Sequence, residues 1–589
     1  MKTTWFTKAI VVFGIAALSL VPFTHVNQFW IFFITVTMAQ TILLASLNLT
    51  LGYAGLVSLG HIALYAIGGF ATAYFTVSRG LPVPVGILAG MIFGAAAGAL
   101  LALPAWRARA VYFGIITLAF LFLTSEVLTK WPTLGAGLGF PNIPGLSMFG
   151  HAFGRNEYYW FTLGVFVLAL AALQQLSSSA VGRSFVAIRE NEAAAASLGI
   201  GPLQTKLMNL TLSGALAGLA GALFAHVSGG IFPEAASFES GLRLFVAIVV
   251  GGVGTFAGPL VGMAVVATID RFTTNWVTTQ PIIFGLLLLG SLAVMRSGIV
   301  GSILTGRAFK LFFRLNDLDE AGEPLDLVTS VRTDVPLLEA LDISKRFDGV
   351  AALGGVDVVV EAGTIHGLIG PNGSGKTTFV NVITGTLPRD GGRISFEGRE
   401  ISHPAPHKMA RLGLVRIFQR PETFGRLLTI QNVVMGLQLR ADRKLWRCLL
   451  PLPKRRRSEK YLVGEALAIL KAVGLEHRAL TPVTALPFGE QRLLEIARAL
   501  GARPKLLVLD EPATGLTIPE LDRLSALLRM LKDQGLTVLV IEHNMQFLMS
   551  LADRVTVFDQ GLRIADDVPD TIQKDRGVVE AYLGEAIPA

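Results

Sequence analysis

The sequence predicts two fold classes in one chain: a polytopic α-helical membrane domain over 1–300, and an α/β domain built on a phosphate-binding loop over 336–589, joined by a linker over 301–335. Three observations predict it. Hydrophobic residues make up 52% of the 589 and charged residues 16%, whereas a soluble protein carries about 25% charged residues. The apolar excess lies before residue 300, and it falls into segments close to the roughly 20 residues that span a bilayer. Behind them stands the octapeptide Gly370-Pro371-Asn372-Gly373-Ser374-Gly375-Lys376-Thr377, which fits Gly-x-x-x-x-Gly-Lys-[Ser/Thr].

Candidate spans run near 8–23, 29–49, 55–77, 83–104, 110–128, 158–175, 206–226, 243–269 and 281–298, which gives 8–10 crossings. The first follows Lys2 and Lys8 as a signal peptide would, but lacks a small-x-small cleavage site, so an uncleaved first helix is expected. Charges orient the spans by the positive-inside rule. Arg107 and Arg109 follow the fourth, and Arg183, Arg189 and Lys206 follow the sixth. Both loops are therefore expected in the cytoplasm. Nine simple crossings would leave the phosphate-binding half outside. The segment 243–269 resolves this, because Gly251-Gly252-Val253-Gly254 and Ala257-Gly258-Pro259 should break its helix. Broken backbone at membrane depth needs cover from protein or a water-filled cavity. We expect 243–269 to be discontinuous and close to the transport path.

The net charge of +8 fits cationic loops against an anionic leaflet. One cysteine, Cys448, excludes an intrachain disulfide. Dense Gly and Ala, as in Gly52-Tyr53-Ala54-Gly55 and Ala66-Ile67-Gly68-Gly69, read as helix packing through small residues. His61 is a functional candidate as an intramembrane ionisable group, although a buried structural histidine is the expected outcome. Glu126 is read as reaching solvent at the outer end of its helix. The stretch Gly182–Ala193, rich in Ala, Glu and Arg, predicts a short cytoplasmic helix with a stop at Leu198-Gly199. Pattern alone leaves open whether it docks on the second half or is a solvated connector.

Arg307, Lys310 and Arg314 mark a cytoplasmic exit, and Asp317, Asp319, Glu320, Glu323 and Asp326 mark an extended linker. From Leu337 onward, short β-branched runs alternate with helical ones, which predicts a parallel sheet with crossover helices. Thr364–Ile369 reads as the strand before the loop, and a helix begins near Lys376. The loop glycines admit phosphate to backbone N–H groups at a helix N-terminus. Lys376 should reach the β- and γ-phosphates of ATP, and the Thr377 hydroxyl should bind Mg²⁺. Lys505-Leu506-Leu507-Val508-Leu509-Asp510-Glu511 is a second strand ending in two acids. Asp510 is placed to anchor Mg²⁺, and Glu511 to polarise an attacking water.

Leu486-Pro487-Phe488-Gly489-Glu490-Gln491-Arg492 resembles the signature motif of ABC ATPases. Gln419, in Ile417-Phe418-Gln419-Arg420-Pro421, resembles their Q-loop glutamine, and His543, in Val540-Ile541-Glu542-His543-Asn544, their switch histidine. Phe347 matches the aromatic that stacks on adenine. These motifs stand in family order over about 250 residues. The resemblance implies that two such domains sandwich two ATPs, each site joining one domain's phosphate loop to the other's signature. It implies nucleotide contacts at Phe347, Gly370, Pro371, Asn372, Gly373, Ser374, Gly375, Lys376, Thr377, Thr378, Gly489 and Glu490. It implies Mg²⁺ contacts at Thr377, Gln419 and Asp510, and catalytic roles for Glu511, His543 and Gln419. Two departures stand out. Pro487 replaces the usual signature serine, and Thr517 replaces the usual aspartate after Ala513-Thr514-Gly515-Leu516.

The signature and the C-terminal Ala581-Tyr582-Leu583-Gly584-Glu585 resemble ATPases of branched-chain amino-acid (LIV-type) importers. The stretches starting at Gly52, Tyr112, Gly182 and Gly251 resemble that family's permease. Permease and ATPase thus look fused, and the 183–200 loop becomes a coupling helix. The resemblance implies ATP-driven import of branched-chain or other hydrophobic amino acids across the bacterial inner membrane, with urea or short amides as the alternative solutes. The ATPase is then cytoplasmic. A second permease, a second ATPase and a periplasmic solute-binding protein are implied partners. An exporter would show about six spans with long cytoplasmic helical extensions, and a membrane-anchored ATPase without transport would need only a minimal anchor; both fit less well. The basic run Arg440, Arg443, Lys444, Arg447, Lys454, Arg455, Arg456, Arg457 and Lys460 reads as a solvated face, with lipid headgroups as the other reading. No nucleic-acid module accompanies it.

Overall fold

A computed structural model of the chain describes residues 16–24, 27–105, 110–148, 151–274, 279–294, 297–304, 335–425, 427–441, 443–450 and 453–583. Lys2, Lys8, residues 8–15 of the first candidate span, Arg107, Arg109, the linker charges and Gly584-Glu585 lie outside the described residues. The chain forms two compact units, one comprising 1–189, 202–316 and 443–451, the other 190–201, 317–442 and 452–589.

The first unit is helical. Its helices are α1 (Gln28–Leu47), α2 (Ile62–Ala73), α3 (Val83–Ala105), α4 (Ala110–Lys130), α5 (Arg155–Ser177), α6 (Ala180–Glu190), α8 (Pro202–Ser228), α9 (Phe238–Gly251), α10 (Gly258–Thr273), α11 (Gln280–Val294) and α12 (Gly298–Leu304); α7 (Glu192–Ser197) belongs to the other unit. Among the described residues, six helical stretches are long and apolar enough to cross a membrane: Gln28–Tyr53, Val83–Ala105, Tyr112–Lys130, Arg155–Ser177, Pro202–Ser228 and Gln280–Ser302. The chain is a multi-pass membrane protein. Asn27 caps α1 through its side chain, which accepts from the Phe29 N–H at 3.1 Å. The seam of α3 and α8 is built of glycines. A Cβ on Gly214 would lie 2.3 Å from the Gly94 carbonyl oxygen, and one on Gly218 would lie 2.3 Å from that of Gly90. The helices thus approach to backbone contact, as small residues permit.

The segment 243–269 divides as expected: α9 ends at Gly251 and α10 starts at Gly258. Three expectations are corrected. The span placed at 55–77 starts its helix at Ile62 and ends in a π-turn at Ser78, so it has 17 helical residues. Gly55 adopts φ +71°, and a Cβ on Gly60 would lie 1.8 Å from the Thr117 carbonyl oxygen, so 54–60 is a non-helical turn segment that packs against α4 at Gly60. Lys206, assigned to a loop, lies inside α8 with its ammonium 3.2 Å from the Ala105 carbonyl, capping the C-terminal end of α3. The single helix expected from Gly182 to a stop at Leu198-Gly199 is two, α6 and α7, divided at Asn191, whose side chain accepts from the Ala194 N–H at 2.8 Å. The stop falls at Gly199, φ +81°. His61 is buried, with Nε2 2.9 Å from the Ser46 hydroxyl, as a structural histidine would be. Glu126 is exposed and pairs with Lys130.

The second unit holds two sheets. A four-stranded antiparallel sheet has the order β2-β1-β4-β5, from β1 (Leu338–Phe347), β2 (Val350–Val360), β4 (Gly391–Phe396) and β5 (Arg399–Glu400). A six-stranded sheet has the order β6-β7-β8-β3-β9-β10, from β3 (Ile365–Ile369), β6 (Leu414–Ile417), β7 (Leu506–Asp510), β8 (Thr537–Ile541), β9 (Arg554–Asp559) and β10 (Leu562–Asp567). Its pairings are parallel except β9 with β10. β3, β7 and β8 are buried at every residue, as in a sheet covered on both faces. The covering helices are α13 (Lys376–Ile383), α14 (Pro406–Leu412), α15 (Thr429–Gly436), α17 (Pro453–Ala472), α18 (Phe488–Gly501), α19 (Ile518–Asp533), α20 (Met545–Met549), α21 (Pro569–Ile572) and α22 (Arg576–Leu583); α16 (Leu445–Leu449) groups with the first unit. Phe379 of α13 packs edge-on to Phe558 of β9 at 5.5 Å, inside a core shared with Leu368, Val508 and Leu539. Residues 190–201 pack into this unit, where Arg411 Nε donates to the Gly199 carbonyl at 3.2 Å.

Candidate nucleotide site

Parallel strands bring their C-terminal ends to one edge, and the candidate residues cluster there. β3 ends at Ile369 and the phosphate loop follows. Gly375 caps α13 at φ +100°, where a Cβ would lie 2.5 Å from the Ala352 carbonyl oxygen, so the turn into the helix requires glycine. Asn372 and Gly373 are exposed at the tip, while Ser374 and Lys376 are buried. Lys376 Nζ donates to the carbonyls of Gly370 and Pro371, both at 2.8 Å. Burial pulls its ammonium below the ordinary lysine range, against the opposing pull of Glu511 and Asp510. Thr377 is exposed and Thr378 half-buried in the first turn of α13, whose N–H groups face outward as an anion site.

Three of the predicted residues meet directly. His543 Nε2 is 2.8 Å from Glu511 Oε1, and the Gln419 amide donates to Glu511 Oε2. Glu511 follows β7 at φ +46°, an unfavourable conformation for a glutamate that its N–H bond to Ile541 sustains at 2.8 Å. Asp510 is no solvated acid. Its side chain is 7% exposed and accepts from Arg416 Nη2 at 2.6 Å, while Arg416 Nη1 reaches Asn381 Oδ1 of α13 at 2.5 Å. Phe347 is exposed at the end of β1, with Lys345 Nζ 5.5 Å from its ring centre.

The signature residues sit elsewhere in the unit. Pro487 caps α18, and the Gly489 Cα faces the Glu520 carboxylate so closely that a Cβ would lie 2.1 Å from it. Glu490 pairs with Arg478 at 3.0 Å. Thr517 caps α19, its N–H and hydroxyl both donating to Glu520 at 2.8 Å. An ionised aspartate could not donate to Glu520 as this hydroxyl does.

Four residues not singled out from sequence complete the arrangement. Arg416 holds Asp510, as above. Arg492, 1% exposed, donates to the carbonyls of Phe418 and Gln419 at 2.7 Å and to that of Glu511 at 3.3 Å, so α18 fixes the glutamine and glutamate backbones together. Glu542 accepts from the Ala513 N–H at 2.6 Å and the His543 N–H at 3.1 Å, and burial raises its carboxyl. The Tyr582 hydroxyl accepts from the Gly370 N–H at 2.8 Å. Arg492 and Glu542 stand inside the signature and switch stretches and Arg416 one residue before the Gln419 stretch, and that position is the only signal sequence offered for them. In the basic run, Arg440 pairs with buried Glu465, and Arg447 stacks 4.9 Å over Trp446, so neither is simply a solvated charge.

Residues 30–295 match the family described as branched-chain amino acid transport system / permease component. Residues 353–514 match the ABC transporter family. Over 252 residues, 43% of this chain, the sequence is 40% identical to the high-affinity branched-chain amino acid transport ATP-binding protein BraF of Pseudomonas aeruginosa and covers 99% of it. It is 36% identical, with the same coverage, to the ATP-binding protein LivG of Escherichia coli K12. The crystal structure of a nucleotide-free ATP-binding cassette from an ABC transporter is 33% identical, with a TM-score of 0.38, over 43% of this chain and 100% of its own. A helical membrane unit of the permease type and an ATP-hydrolysing cassette of the LivG and BraF type stand on one polypeptide, and the chain belongs to the ABC transporters.

Proposed function

We propose that this chain is the fused permease–ATPase subunit of an importer that uses ATP to carry branched-chain or other hydrophobic amino acids across the bacterial inner membrane. The observation that carries the reading is the convergence of Gln419 and His543 on Glu511 beside the phosphate loop. In this reading 1–300 is the permease, 301–335 the linker and 336–589 the cytoplasmic ATPase. Phe347 stacks on adenine. The amides of Gly370–Thr378 cradle the phosphates, with Lys376 at the β- and γ-phosphates. Glu511 accepts a proton from the attacking water, and His543 holds the γ-phosphate.

Thr377, Gln419 and Asp510 offer a hydroxyl, an amide oxygen and a carboxylate, hard oxygen donors of the kind Mg²⁺ takes alongside nucleotide phosphates. Bound there, Mg²⁺ would neutralise developing phosphate charge. Arg416 holds the Asp510 carboxylate in place, and Arg492 keeps Gln419 in step with Glu511. Gly489 and Glu490 complete the site of a second ATPase subunit, and α7 is the coupling helix. A second permease and a periplasmic binding protein complete the transporter, set among membrane lipids, with no nucleic acid.

The test is uptake of labelled leucine into proteoliposomes holding the chain, its co-expressed partners and their binding protein. ATP-dependent uptake that valine blocks and Lys376→Ala abolishes is expected. ATPase stimulated by urea or acetamide, without leucine uptake, would overturn the substrate.

A further inference from the structure

We infer that Tyr582 is a positioning residue of the phosphate loop: its hydroxyl holds the Gly370 peptide, and that peptide holds Lys376. The inference rests on the ATP-binding reading of the same loop.

β3 pairs with β9 up to Ile369, opposite Val557. The next peptide leaves the ladder, and its N–H needs an acceptor from outside the sheet. Tyr582 Oη supplies one at 2.8 Å. The carbonyl of the same residue accepts Lys376 Nζ at 2.8 Å. Gly370 itself stands at φ +150°, where a Cβ would lie 2.1 Å from the Phe558 carbonyl oxygen. No side chain at 370 could do the anchoring, so it comes from another element. That element is α22, seated by Val578, which is 3% exposed, and started by Asp575, whose carboxylate accepts the Val578 N–H at 3.1 Å. Burial raises the Tyr582 phenol above its ordinary range, with the Gly370 N–H opposing, so the hydroxyl stays protonated and accepts through a lone pair.

The hydroxyl forms no bond to Glu511, His543 or Gln419, whose own partners are given above. Its loss therefore acts on how the loop and Lys376 meet phosphate, and not on the attack of water. Phenylalanine at 582 fills the same space and leaves the Gly370 N–H without its acceptor.

The experiment titrates the purified full-length chain with a fluorescent N-methylanthraniloyl derivative of ATP and follows melting alongside. Tyr582→Phe is expected to weaken binding about fivefold, the worth of one neutral hydrogen bond, with KM raised likewise and kcat preserved in the reconstituted transporter. Val578→Ala keeps the hydroxyl and removes packing from the same helix; it is expected to lower the melting temperature while binding stays within about twofold. Binding by Tyr582→Phe equal to the unmodified chain, or weakened no more than in Val578→Ala, would overturn the inference. If the unmodified chain itself failed to bind, or bound as Lys376→Ala does, the nucleotide reading would fall instead.

Discussion

Arg416→Met is expected to destabilise the nucleotide unit by about 3–5 kcal/mol, because it strands a buried carboxylate. Arg416 and Asp510 are each 7% exposed and 2.6 Å apart. Methionine keeps most of the arginine stem, so packing changes little. What is lost is the guanidinium's charged bond to Asp510 Oδ2, the bond to Asn381 Oδ1 and the stacking 5.0 Å over Phe418. For a domain of 150–250 residues, 1 kcal/mol shifts the melting temperature by roughly 2–4 °C, so the drop should be roughly 6–20 °C. Calorimetry of the full-length chain, following the transition that nucleotide shifts upward, measures it. The pair also predicts a rescue. In Arg416→Met/Asp510→Asn the buried group is neutral, so more than half of the lost stability should return although hydrolysis does not. A single variant that melts within about 2 °C of the parent, or a double variant no better than the single, would refute the reasoning.

Glu511→Gln should cut ATP hydrolysis by about 10²–10⁴-fold while nucleotide affinity is kept, the signature of a lost general base, read by steady-state kinetics beside equilibrium binding. Gly214→Val should cost about 1–3 kcal/mol and lower the yield of folded protein on gel filtration, since even a Cβ there meets the Gly94 carbonyl oxygen at 2.3 Å. Burial lowers His366 to about 4 from 6.5, with Asp566 pulling it up and Arg554 pushing it down. A depressed histidine favours the neutral form in the fold, so its stability contribution is full above pH 6.5 and lost as pH falls toward about 4. His366→Gln should flatten the melting temperature across that window.

The nucleotide site was legible where chemistry demands residue types at fixed spacing. The glycines of 370–375 and the strand-end pair Asp510-Glu511 could be named because backbone approach to phosphate and the positioning of water leave few substitutes, whereas Gln419 and His543 were named only through the resemblance to ABC ATPases. Arg416, Arg492 and Tyr582 were not legible. Each acts across the fold, on Asp510, on the Gln419 carbonyl and on the Gly370 N–H, and no sequence spacing records which strand end a distant side chain will face. The membrane half shows the same division. Apolar length located most spans and glycine placed the break in 243–269. It did not show that the backbone at Gly60 comes up against the Thr117 carbonyl, or that Lys206 turns inward to end α3, because both depend on which helix lies alongside.

The break between α9 and α10 also shows how a membrane chain can afford irregular backbone. Between Gly252 and Ala257 the helix ladder is gone, and each free N–H or C=O at membrane depth would cost several kcal/mol. Part of the need is met locally: the Thr255 N–H and hydroxyl both bond to the Gly252 carbonyl, at 3.3 and 2.8 Å. Two more groups are met by one side chain on the π-turn that follows α1. Asn48 Oδ1 accepts the Gly254 N–H at 2.8 Å, and its Nδ2 donates to the Thr255 carbonyl at 2.8 Å. Only a primary amide supplies a neutral donor and acceptor side by side, as a peptide group does. Asn48 therefore stands in for a missing strand of backbone, and it does so because Gly52 lets the two segments touch, a Cβ there falling 2.5 Å from the Gly254 nitrogen. The Gly52 carbonyl is in turn taken by Arg189 of α6. The break, the π-turn and the end of α6 are thus one hydrogen-bonded cluster.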